Sequence, residues 1–224
     1  MPPTTSARLP SEAPAILGPQ VAVSRCYAVA KRVIDVTGAL VALLFIALPM
    51  GLVALLIKLE SRGPVFYAQY RLGENGVPFR FYKFRSMVVD AERIRSDLEE
   101  ANEASGPIFK IRQDPRMTRI GRLIRKASLD ETPQLLHVLF GQMSLVGPRP
   151  PLPEEVENYQ PWQLERLAVR PGLTCIWQIS GRSDIPFDRW VELDIEYVRT
   201  RNLLLDLKIL LLTVPAVLSG RGAY

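Results

Sequence analysis

The stretch Val33–Ile57 reads VIDVTGALVALLFIALPMGLVALLI, and Asp35 is the only charged residue in it. A helix needs roughly 20 consecutive apolar residues to cross the hydrocarbon core of a bilayer, and this stretch is longer. Taken alone, it predicts one membrane-spanning helix and places the rest of the chain at a membrane surface.

Two features of the same stretch favour a bent helix that enters and leaves the membrane by one face. Lys31 and Arg32 precede it, while Lys58 and Arg62 follow it. Basic residues at both ends suit a segment whose two ends lie on the cytoplasmic side. Pro49 lies in the interior, where the ring removes a helical hydrogen bond at a cost of about 3 kcal/mol. The span and the bent helix both remain open on these residues.

The composition limits the kinds of partner and site. The 224 residues carry a net charge of +5, which predicts anionic partners: an acidic membrane surface, phosphorylated substrates or nucleic acid. The two cysteines, Cys26 and Cys175, and the one histidine, His137, exclude a disulfide framework and a His/Cys metal cluster. Reduced chemistry facing the cytoplasm is the natural interpretation.

Downstream of the apolar stretch, short segments predict both β-strands and α-helices. The aromatic-rich runs Val65–Leu72 and Val77–Arg85 flank an Asn-Gly pair, which predicts a β-hairpin. Met87–Ser105 has the polar composition of an exposed helix. Leu203–Leu218 is an apolar run interrupted by charges, and it predicts an amphipathic helix at the membrane interface.

The chain therefore divides into three parts. Residues 1–29 are rich in proline and predicted to be a disordered tail. Residues 30–58 form the membrane helix, and residues 59–224 form one helix-rich domain with a small β-hairpin or sheet. The predicted fold class is α+β.

The segment from residue 110 to residue 126 has the most one-sided charge in the chain. It holds one acidic residue, Asp114, against seven basic ones: Lys110, Arg112, Arg116, Arg119, Arg122, Arg125 and Lys126. A charge run is most often a solvated helix face, but so one-sided a block repels itself unless something anionic lies against it. Lipid headgroups and phosphates are both candidates, and no nucleic-acid-binding motif is present.

Ser128-Leu129-Asp130-Glu131 has the pattern of a capping box, with Ser128 as N-cap of a helix over Leu129–Phe140. Adjacent carboxylates in a first helical turn usually do no more than complement the helix dipole. A functional interpretation stands beside that one, because a helix N-terminus attracts phosphate and keeps a carboxylate ionised, as a nucleophile must be. Two adjacent acids also suit Mg²⁺ beside a diphosphate.

Two further segments carry arginines next to prolines. Arg149 lies between Pro148 and Pro150, in a loop that the prolines stiffen, which suits an arginine that binds phosphate. An ordinary exposed loop is the alternative. Arg170-Pro171-Gly172 predicts a turn before a strand over Leu173–Ile179.

These segments together resemble the bacterial sugar transferase family, the monotopic phosphoglycosyl transferases that begin exopolysaccharide and O-antigen assembly. The matching motifs occur in family order over roughly residues 30–224, in a compact form. They are Lys31-Arg32-Val33-Ile34-Asp35, Gly63-Pro64-Val65-Phe66-Tyr67, Tyr82-Lys83-Phe84-Arg85-Ser86-Met87, Ser128-Leu129-Asp130-Glu131, Met143-Ser144-Leu145-Val146-Gly147-Pro148-Arg149-Pro150 and Val169-Arg170-Pro171-Gly172-Leu173-Thr174.

The resemblance implies a specific reaction. In this family the Asp of the Asp-Glu pair attacks the β-phosphate of a UDP-sugar, UMP leaves, and the sugar phosphate passes from the Asp to polyprenol (undecaprenyl) phosphate. That role falls on Asp130, with Glu131 assisting through Mg²⁺ or in proton handling, so both are implied metal ligands. Residues implied to contact phosphates or nucleotide are Lys83, Arg85, Arg125, Arg149, Arg170 and Arg182.

The resemblance also implies a location. The family's membrane segment is a re-entrant helix-break-helix, here with Lys31 and Arg32 at its start and Pro49 at the break. It would anchor the catalytic domain to the cytoplasmic face of the bacterial inner membrane, with membrane lipids as partners and no nucleic acid. Leu48 departs from the serine that often precedes this proline, and Cys175 departs from the usual glycine. The segment 107–116 is similar to that of relatives that use plain hexoses.

Rival hypotheses make different predictions. A lipid-carrier glycosyltransferase without a covalent intermediate commonly carries an Asp-x-Asp metal motif, which this sequence lacks. A non-catalytic, membrane-anchored basic module would use Asp130 only as a helix cap, so removing the side chain would cost about 1 kcal/mol and no activity. A nucleic-acid binder would show salt-sensitive binding to duplexes that does not depend on Asp130.

Overall fold

The computed structural model describes residues 23–181, 185–220 and 222. Most of the predicted tail, residues 1–22, lies outside the described residues, as does Arg182. The helices are α1 (Arg25–Glu60), α2 (Ala91–Arg95), α3 (Arg119–Lys126), α4 (Gln134–Leu139), α5 (Pro153–Val156), α6 (Ile176–Ser180), α7 (Phe187–Thr200) and α8 (Leu203–Ser219). The strands are β1 (Phe66–Leu72), β2 (Pro78–Phe84), β3 (Ser144–Val146) and β4 (Gly172–Thr174). The helix-rich α+β prediction is confirmed.

Helix α1 is longer than predicted and is not broken. It begins at Arg25 because the Ser24 hydroxyl accepts a hydrogen bond from the backbone N–H of Tyr27 at 3.1 Å, so the tail boundary at residue 29 is wrong. The helix continues through Pro49 to Glu60 as one element, so no helix-break-helix is present. Proline removes one hydrogen bond, but the turns on both sides of it pack against the domain and hold the helix together.

One stripe of α1 packs along the domain over the whole length of the helix. Its first half packs Ala39 against the central core, and its second half packs Val53 and Ile57 against a smaller cluster that contains Phe84 and Ile124. The opposite face is apolar and open, for example at Phe45, which is 77% exposed, and Leu48, which is 85% exposed. Among the described helices, α1 alone has the length and apolar composition needed to cross a membrane.

The predicted hairpin is confirmed. Strands β1 and β2 are antiparallel, with Phe66 opposite Phe84 and Leu72 opposite Pro78. Between them, Asn75 has φ 58° and Gly76 has φ 73°, the left-handed conformation that Asn-Gly adopts readily. The hairpin carries Lys83 at its far end, next to the site described below.

A second, parallel pair joins β3 to β4, with Ser144 opposite Gly172 and Val146 opposite Thr174. The backbones cross closely at Gly147 and Gly172, since a Cβ on Gly172 would lie 2.0 Å from the Gly147 nitrogen.

The predicted strand over residues 173–179 is mostly wrong, because β4 ends at Thr174 and the apolar residues that follow form α6. The predicted helix Met87–Ser105 reduces to α2 and a 3₁₀ segment, Ser96–Ala101.

The central core lies where α1, α4, β2, β3 and α8 meet. It contains Phe81, Val138, Met143, Val146, Tyr197 and Ile209. Helix α8 buries only Asp206 and Ile209, and its remaining surface is largely apolar and open. The pattern fits the predicted amphipathic helix.

Candidate functional site

The hairpin, α3, the turn after α3 and the proline-rich loop after β3 enclose a cavity of about 960 Å³. Its wall carries both members of the Asp-Glu pair and a set of basic side chains. Among the basic lining residues are Arg71, Lys83, Arg125, Arg149 and Arg166. The cavity thus brings together residues that lie far apart in the sequence.

Asp130 is held in the turn between α3 and α4, and not in the first turn of a helix. Ser128 has φ 55°, and its N–H donates to the Arg125 carbonyl at 2.9 Å. The Asp130 carbonyl accepts a hydrogen bond from the Phe84 N–H at 2.8 Å, which ties the turn to the end of β2. The capping box predicted for Ser128 is therefore wrong. Helix α4 begins later, at Gln134, with Pro133 at its N-cap.

The Asp130 side chain is 6% exposed, and it forms no ion pair with the described residues. Burial raises the pKa of Asp130 to about 6, and the charge of Glu131 adds to the rise. Arg125, Lys83 and Arg149 oppose it. The carboxylate is therefore surrounded by cations without being bound to one.

Glu131 has the opposite electrostatic setting. Its Oε1 lies 2.7 Å from Nη2 of Arg149. Burial alone would raise the pKa of Glu131, but Arg149 lowers it below its ordinary value by charge and by hydrogen bonding. The pKa values of the two adjacent carboxyls thus shift in opposite directions. Glu131 is a fixed anion, and Asp130 is the group left open to the cavity. Divergent pKa values in neighbouring acids are typical of sites that give them different tasks.

Lys83 and Arg125 provide positive charge on the other side of Asp130. Burial, together with the neighbouring cations Arg125 and Arg71, lowers the pKa of Lys83 to about 7. Arg125 Nε donates to the Ser86 hydroxyl at 3.2 Å, which fixes the guanidinium between α3 and the end of the hairpin. These positions suit the non-bridging oxygens of a phosphate placed against Asp130.

The structure engages two of the predicted phosphate-binding arginines, Arg85 and Arg170, in other contacts. Arg85 lines the cavity, but its guanidinium donates to Ser61 and to the Arg62 carbonyl, so it anchors the end of α1. Arg170 pairs with Glu74 at 3.2 Å on the surface. Arg182 lies outside the described residues.

Two buried arginines were missed by the sequence analysis. Arg71 donates to the Pro150 carbonyl, and its guanidinium lies 4.9 Å from the centre of the Phe81 ring. Arg166 binds Asp194 at 2.5 Å and also donates to the Arg149 carbonyl at 3.2 Å. Both therefore fix the backbone of the loop that carries Arg149. Nothing in the local sequence marks them, because each function depends on a partner distant in the chain.

The basic residues predicted to flank the membrane segment, Lys31 and Arg32, bind the domain. Lys31 Nζ donates to Asp206 and to the Val146 carbonyl, both at 3.1 Å. Arg32 donates to the last carbonyls of α4, those of Val138 at 2.6 Å and Leu139 at 2.7 Å. These contacts attach the start of α1 to the domain, which is a structural role that the sequence analysis did not predict.

Aromatic side chains also line the cavity. Trp177 and Trp190 stack with ring centroids 4.3 Å apart. The Arg116 guanidinium lies 5.0 Å from the centre of the Phe109 ring. Flat apolar faces beside cations suit a nucleobase or a sugar ring.

The described residues contain no group of three or more His, Cys, Asp or Glu side chains placed to hold a metal. Mg²⁺ at a diphosphate usually takes one or two protein carboxylates, and the substrate and water supply its other ligands. The Asp130 side chain accepts no hydrogen bond from the described residues, and Glu131 keeps one oxygen outside its ion pair. The pair therefore fits Mg²⁺ only together with a bound diphosphate.

Known proteins resemble this chain over most of its length. The galactosyl transferase CpsE of Streptococcus agalactiae is 49% identical over 199 residues, which are 87% of this chain and 43% of CpsE. The exopolysaccharide production protein ExoY of Sinorhizobium fredii is 41% identical over 200 residues, which are 88% of this chain and 88% of ExoY. The undecaprenyl-phosphate glucose phosphotransferase of Komagataeibacter xylinus is 44% identical, with 37% of its length covered.

The chain thus spans less than half of two of these relatives and most of the third. The sequence model described as "Bacterial sugar transferase" matches residues 26–220, which include α1, the Asp130 turn and the arginine loop. The chain belongs to the bacterial sugar transferase family.

Proposed function

We propose that the protein transfers a sugar phosphate from a UDP-sugar to polyprenol (undecaprenyl) phosphate through a covalent intermediate on Asp130. The observation that carries the proposal is the contrast between the two carboxyls: Arg149 binds Glu131, whereas Asp130 faces the cavity unpaired among Lys83 and Arg125. A nucleophile must be ionised and unoccupied, and its surroundings must tolerate an incoming anion. The relative named as an undecaprenyl-phosphate glucose phosphotransferase supports transfer of a sugar phosphate to this lipid carrier.

The proposed transfer has two half-reactions. In the first, an Asp130 oxygen attacks the β-phosphorus of the donor, a bond forms between them, and the bond from the β-phosphorus to the bridging oxygen of UMP breaks. UMP leaves with that electron pair. In the second, an oxygen of the acceptor phosphate attacks the same phosphorus, and the Asp130 carboxylate is released. Charge balances in each step without a proton, so a general base is not required for either.

The surrounding residues bind and orient the donor. Lys83 and Arg125 would neutralise the oxygens of the phosphorus under attack, and Arg149, fixed by Glu131, would bind the neighbouring phosphate. Mg²⁺ bound by Asp130 and Glu131 would neutralise the diphosphate when the donor is present. Trp177 and Trp190 also line the cavity, but each is at most 8% exposed and they stack on each other, so they shape its wall. The relatives named for galactose and glucose, together with the segment 107–116, favour a plain hexose.

We further propose that both ends of α1 lie on the cytoplasmic face of the bacterial inner membrane. The same domain contacts the start of α1 through Asp35, which accepts from Ser144 at 3.0 Å, and its end through Glu60, which accepts from the Arg119 N–H at 2.7 Å. A helix that crosses the bilayer has its two ends on opposite sides, where one domain on the cytoplasmic side could not contact both. The open face of Phe45 and Leu48 would then enter the bilayer from that side, as a shallowly embedded helix.

The test measures UMP release from a panel of UDP-sugars, with Mg²⁺ and with or without undecaprenyl phosphate. We expect acceptor-dependent release with UDP-hexoses, and a covalent phosphosugar adduct by intact mass when the acceptor is absent. Asp130→Asn should abolish both. Asp90→Asn is the matched control, since Asp90 lines the same cavity but is exposed to solvent.

Two outcomes would contradict the proposal. UMP release that survives in Asp130→Asn would mean that another residue, or water, attacks the donor. A folded, membrane-bound protein that releases UMP from no sugar would favour the non-catalytic basic module instead.

A further inference from the structure

A second, smaller cavity of about 410 Å³ lies beside the active-site cavity. It is enclosed by the segment from Ile111 to Met117, by α3 and by Gly220 at the end of α8. Ile111, Asp114 and Arg125 line both cavities, so the two share a wall. Of the residues assigned to the donor, Lys83 and Arg149 line only the larger one, and Arg125 lines both.

Charge makes the second cavity suitable for an anion. Its wall carries four basic side chains, Arg112, Arg122, Arg125 and Lys126, against the one carboxylate of Asp114. That carboxylate is already bound by Arg116 at 2.6 Å. Arg122, Arg125 and Lys126 form no ion pair with the part of the chain that the structure describes. Basic side chains grouped on one cavity wall attract an anion.

The surroundings of the cavity indicate what kind of anion. Gly220 follows the apolar helix α8, and a Cβ built on it would lie 3.4 Å from Lys126 Cγ. On α8, Leu218 is 82% exposed, and on α3, Leu123 is 65% exposed. A cationic cavity bordered by open leucines matches a phosphate that carries a long apolar chain better than it matches a soluble nucleotide.

We propose that the second cavity binds the phosphate of the polyprenyl phosphate acceptor, while its chain lies along the apolar surfaces of α3 and α8. This inference rests on the proposed function and adds to it that donor and acceptor occupy separate cavities. Arg125, in the shared wall, contacts the acceptor phosphate on one side and the sugar phosphate on Asp130 on the other. An acceptor oxygen reaching past Arg125 then forms the new P–O bond as the bond to Asp130 breaks.

The test separates the two half-reactions. Arg122→Gln/Lys126→Gln removes two charges from the second cavity and none from the donor cavity. Arg119→Gln is the matched control, because Arg119 lies on the same helix and does not line either cavity. The acceptor-free release of UMP reports on the donor cavity, and the KM for undecaprenyl phosphate reports on the second cavity. Thermal unfolding of each variant verifies that it is folded.

We expect the double variant to raise the KM for the acceptor about tenfold, equivalent to about 1.4 kcal/mol, with acceptor-free UMP release unchanged. Arg119→Gln should change neither. An unchanged acceptor KM, or an equal rise in Arg119→Gln, would overturn the proposal, the second result by showing that overall charge alone attracts the lipid. Equal losses in both half-reactions would also overturn it.

A binding measurement keeps this inference distinct from the proposed reaction. The protein and its variants are titrated with nanodiscs of neutral phosphatidylcholine that contain undecaprenyl phosphate, or instead phosphatidylglycerol. We expect the double variant to bind nanodiscs with undecaprenyl phosphate about tenfold more weakly than the wild type does. Its binding to nanodiscs with phosphatidylglycerol should be unchanged. An equal loss for both lipids would mean that the cavity binds any anionic headgroup. If binding behaves as expected but no UDP-sugar yields UMP, the proposed reaction is wrong and the lipid-phosphate site remains.

Discussion

Arg149 Nη2 lies 2.7 Å from Glu131 Oε1, and this ion pair connects the proline-rich loop to the turn that carries Asp130. Both side chains are largely removed from solvent, at 30% and 20% exposed. Arg149 is itself held through its carbonyl by Arg166, which is anchored on Asp194. The position of the loop cation therefore depends on a chain of contacts that ends in α7.

The pair should act as a unit in catalysis. We expect Glu131→Gln and Arg149→Gln each to lower kcat/KM for UMP release by tenfold or more, and the double variant to lose little beyond either single variant. Residues in direct contact typically show coupling energies of about 0.5–3 kcal/mol in such a cycle. Steady-state kinetics of the four proteins measure it. Strictly additive losses would mean that each residue acts on the substrate independently.

The two cysteines allow a direct test of the orientation of α1. Cys26 is exposed at the start of the helix, and Cys175 is buried in the domain. With both ends on the cytoplasmic side, a membrane-impermeant maleimide should label Cys26 and an introduced Arg62→Cys in inverted vesicles, and neither in right-side-out spheroplasts. A single span would expose one of them in each preparation.

A third position on α1 serves as the control for embedding in lipid. Leu48→Cys replaces a residue that is 85% exposed in the protein alone. It should resist the maleimide in both membrane preparations and react after detergent extraction. Labelling of this cysteine in intact inverted vesicles would show that the open face of α1 lies in water.

Local signals in the sequence predicted some elements well and others poorly. The hairpin was predicted because Asn75-Gly76 fixes the turn by itself, and α1 because a stretch of 25 residues with a single charge admits few other structures. The capping box at Ser128 failed, since the contact of the turn with Phe84 on β2 overrides the local helical preference.

The candidate site, like the fold, was predicted only in part. Asp130, Glu131 and Arg149 stand in motifs that can be recognised in one dimension, and the structure brings them together. Arg85 and Arg170 stand in equally clear motifs, yet their guanidinium groups bind the end of α1 and Glu74. Arg71 and Arg166 reach the site only through strand pairing and through Asp194. Which arginine faces the cavity is a property of tertiary contacts, which no local pattern contains.

Two glycines offer a matched test of how tightly α3 lies against the hairpin. A Cβ on Gly121 would lie 1.9 Å from the Ser86 carbonyl oxygen, whereas a Cβ on Gly51 in α1 would meet nothing within 4 Å. Gly121→Ala must push α3 away from Ser86, which also binds Arg125. We expect a loss of about 2 kcal/mol or more in unfolding free energy and weaker donor binding.

Gly51→Ala should be neutral or stabilise the protein by roughly 0.5–1 kcal/mol, because alanine favours a helix interior. Thermal unfolding in nanodiscs and the KM for the donor measure both variants. A Gly121→Ala protein with unchanged stability would show that α3 and Ser86 are not in contact.

His137 should be a structural residue, and its replacement tests how β2 is fixed to α4. The ring is 4% exposed, its Nε2 accepts from the Tyr82 N–H at 3.2 Å, and its Nδ1 lies 2.6 Å from Gln142 Oε1. The ring also stacks with Tyr82 at 5.6 Å between centroids. His137→Ala leaves a void and an unpaired N–H between the two elements that flank the Asp130 turn. We expect it to lower the unfolding free energy by about 2–4 kcal/mol.

Leu136→Ala on the same helix is the control for this variant, since Leu136 is 44% exposed and should lose less than about 1 kcal/mol. At a temperature where both variants stay folded, His137→Ala should retain acceptor-free UMP release within a few-fold of the wild type, because the ring contacts neither carboxylate. Chemical denaturation and the UMP burst measure the two effects separately. A stable His137→Ala protein that has lost the burst would place the imidazole in the reaction and contradict the structural role.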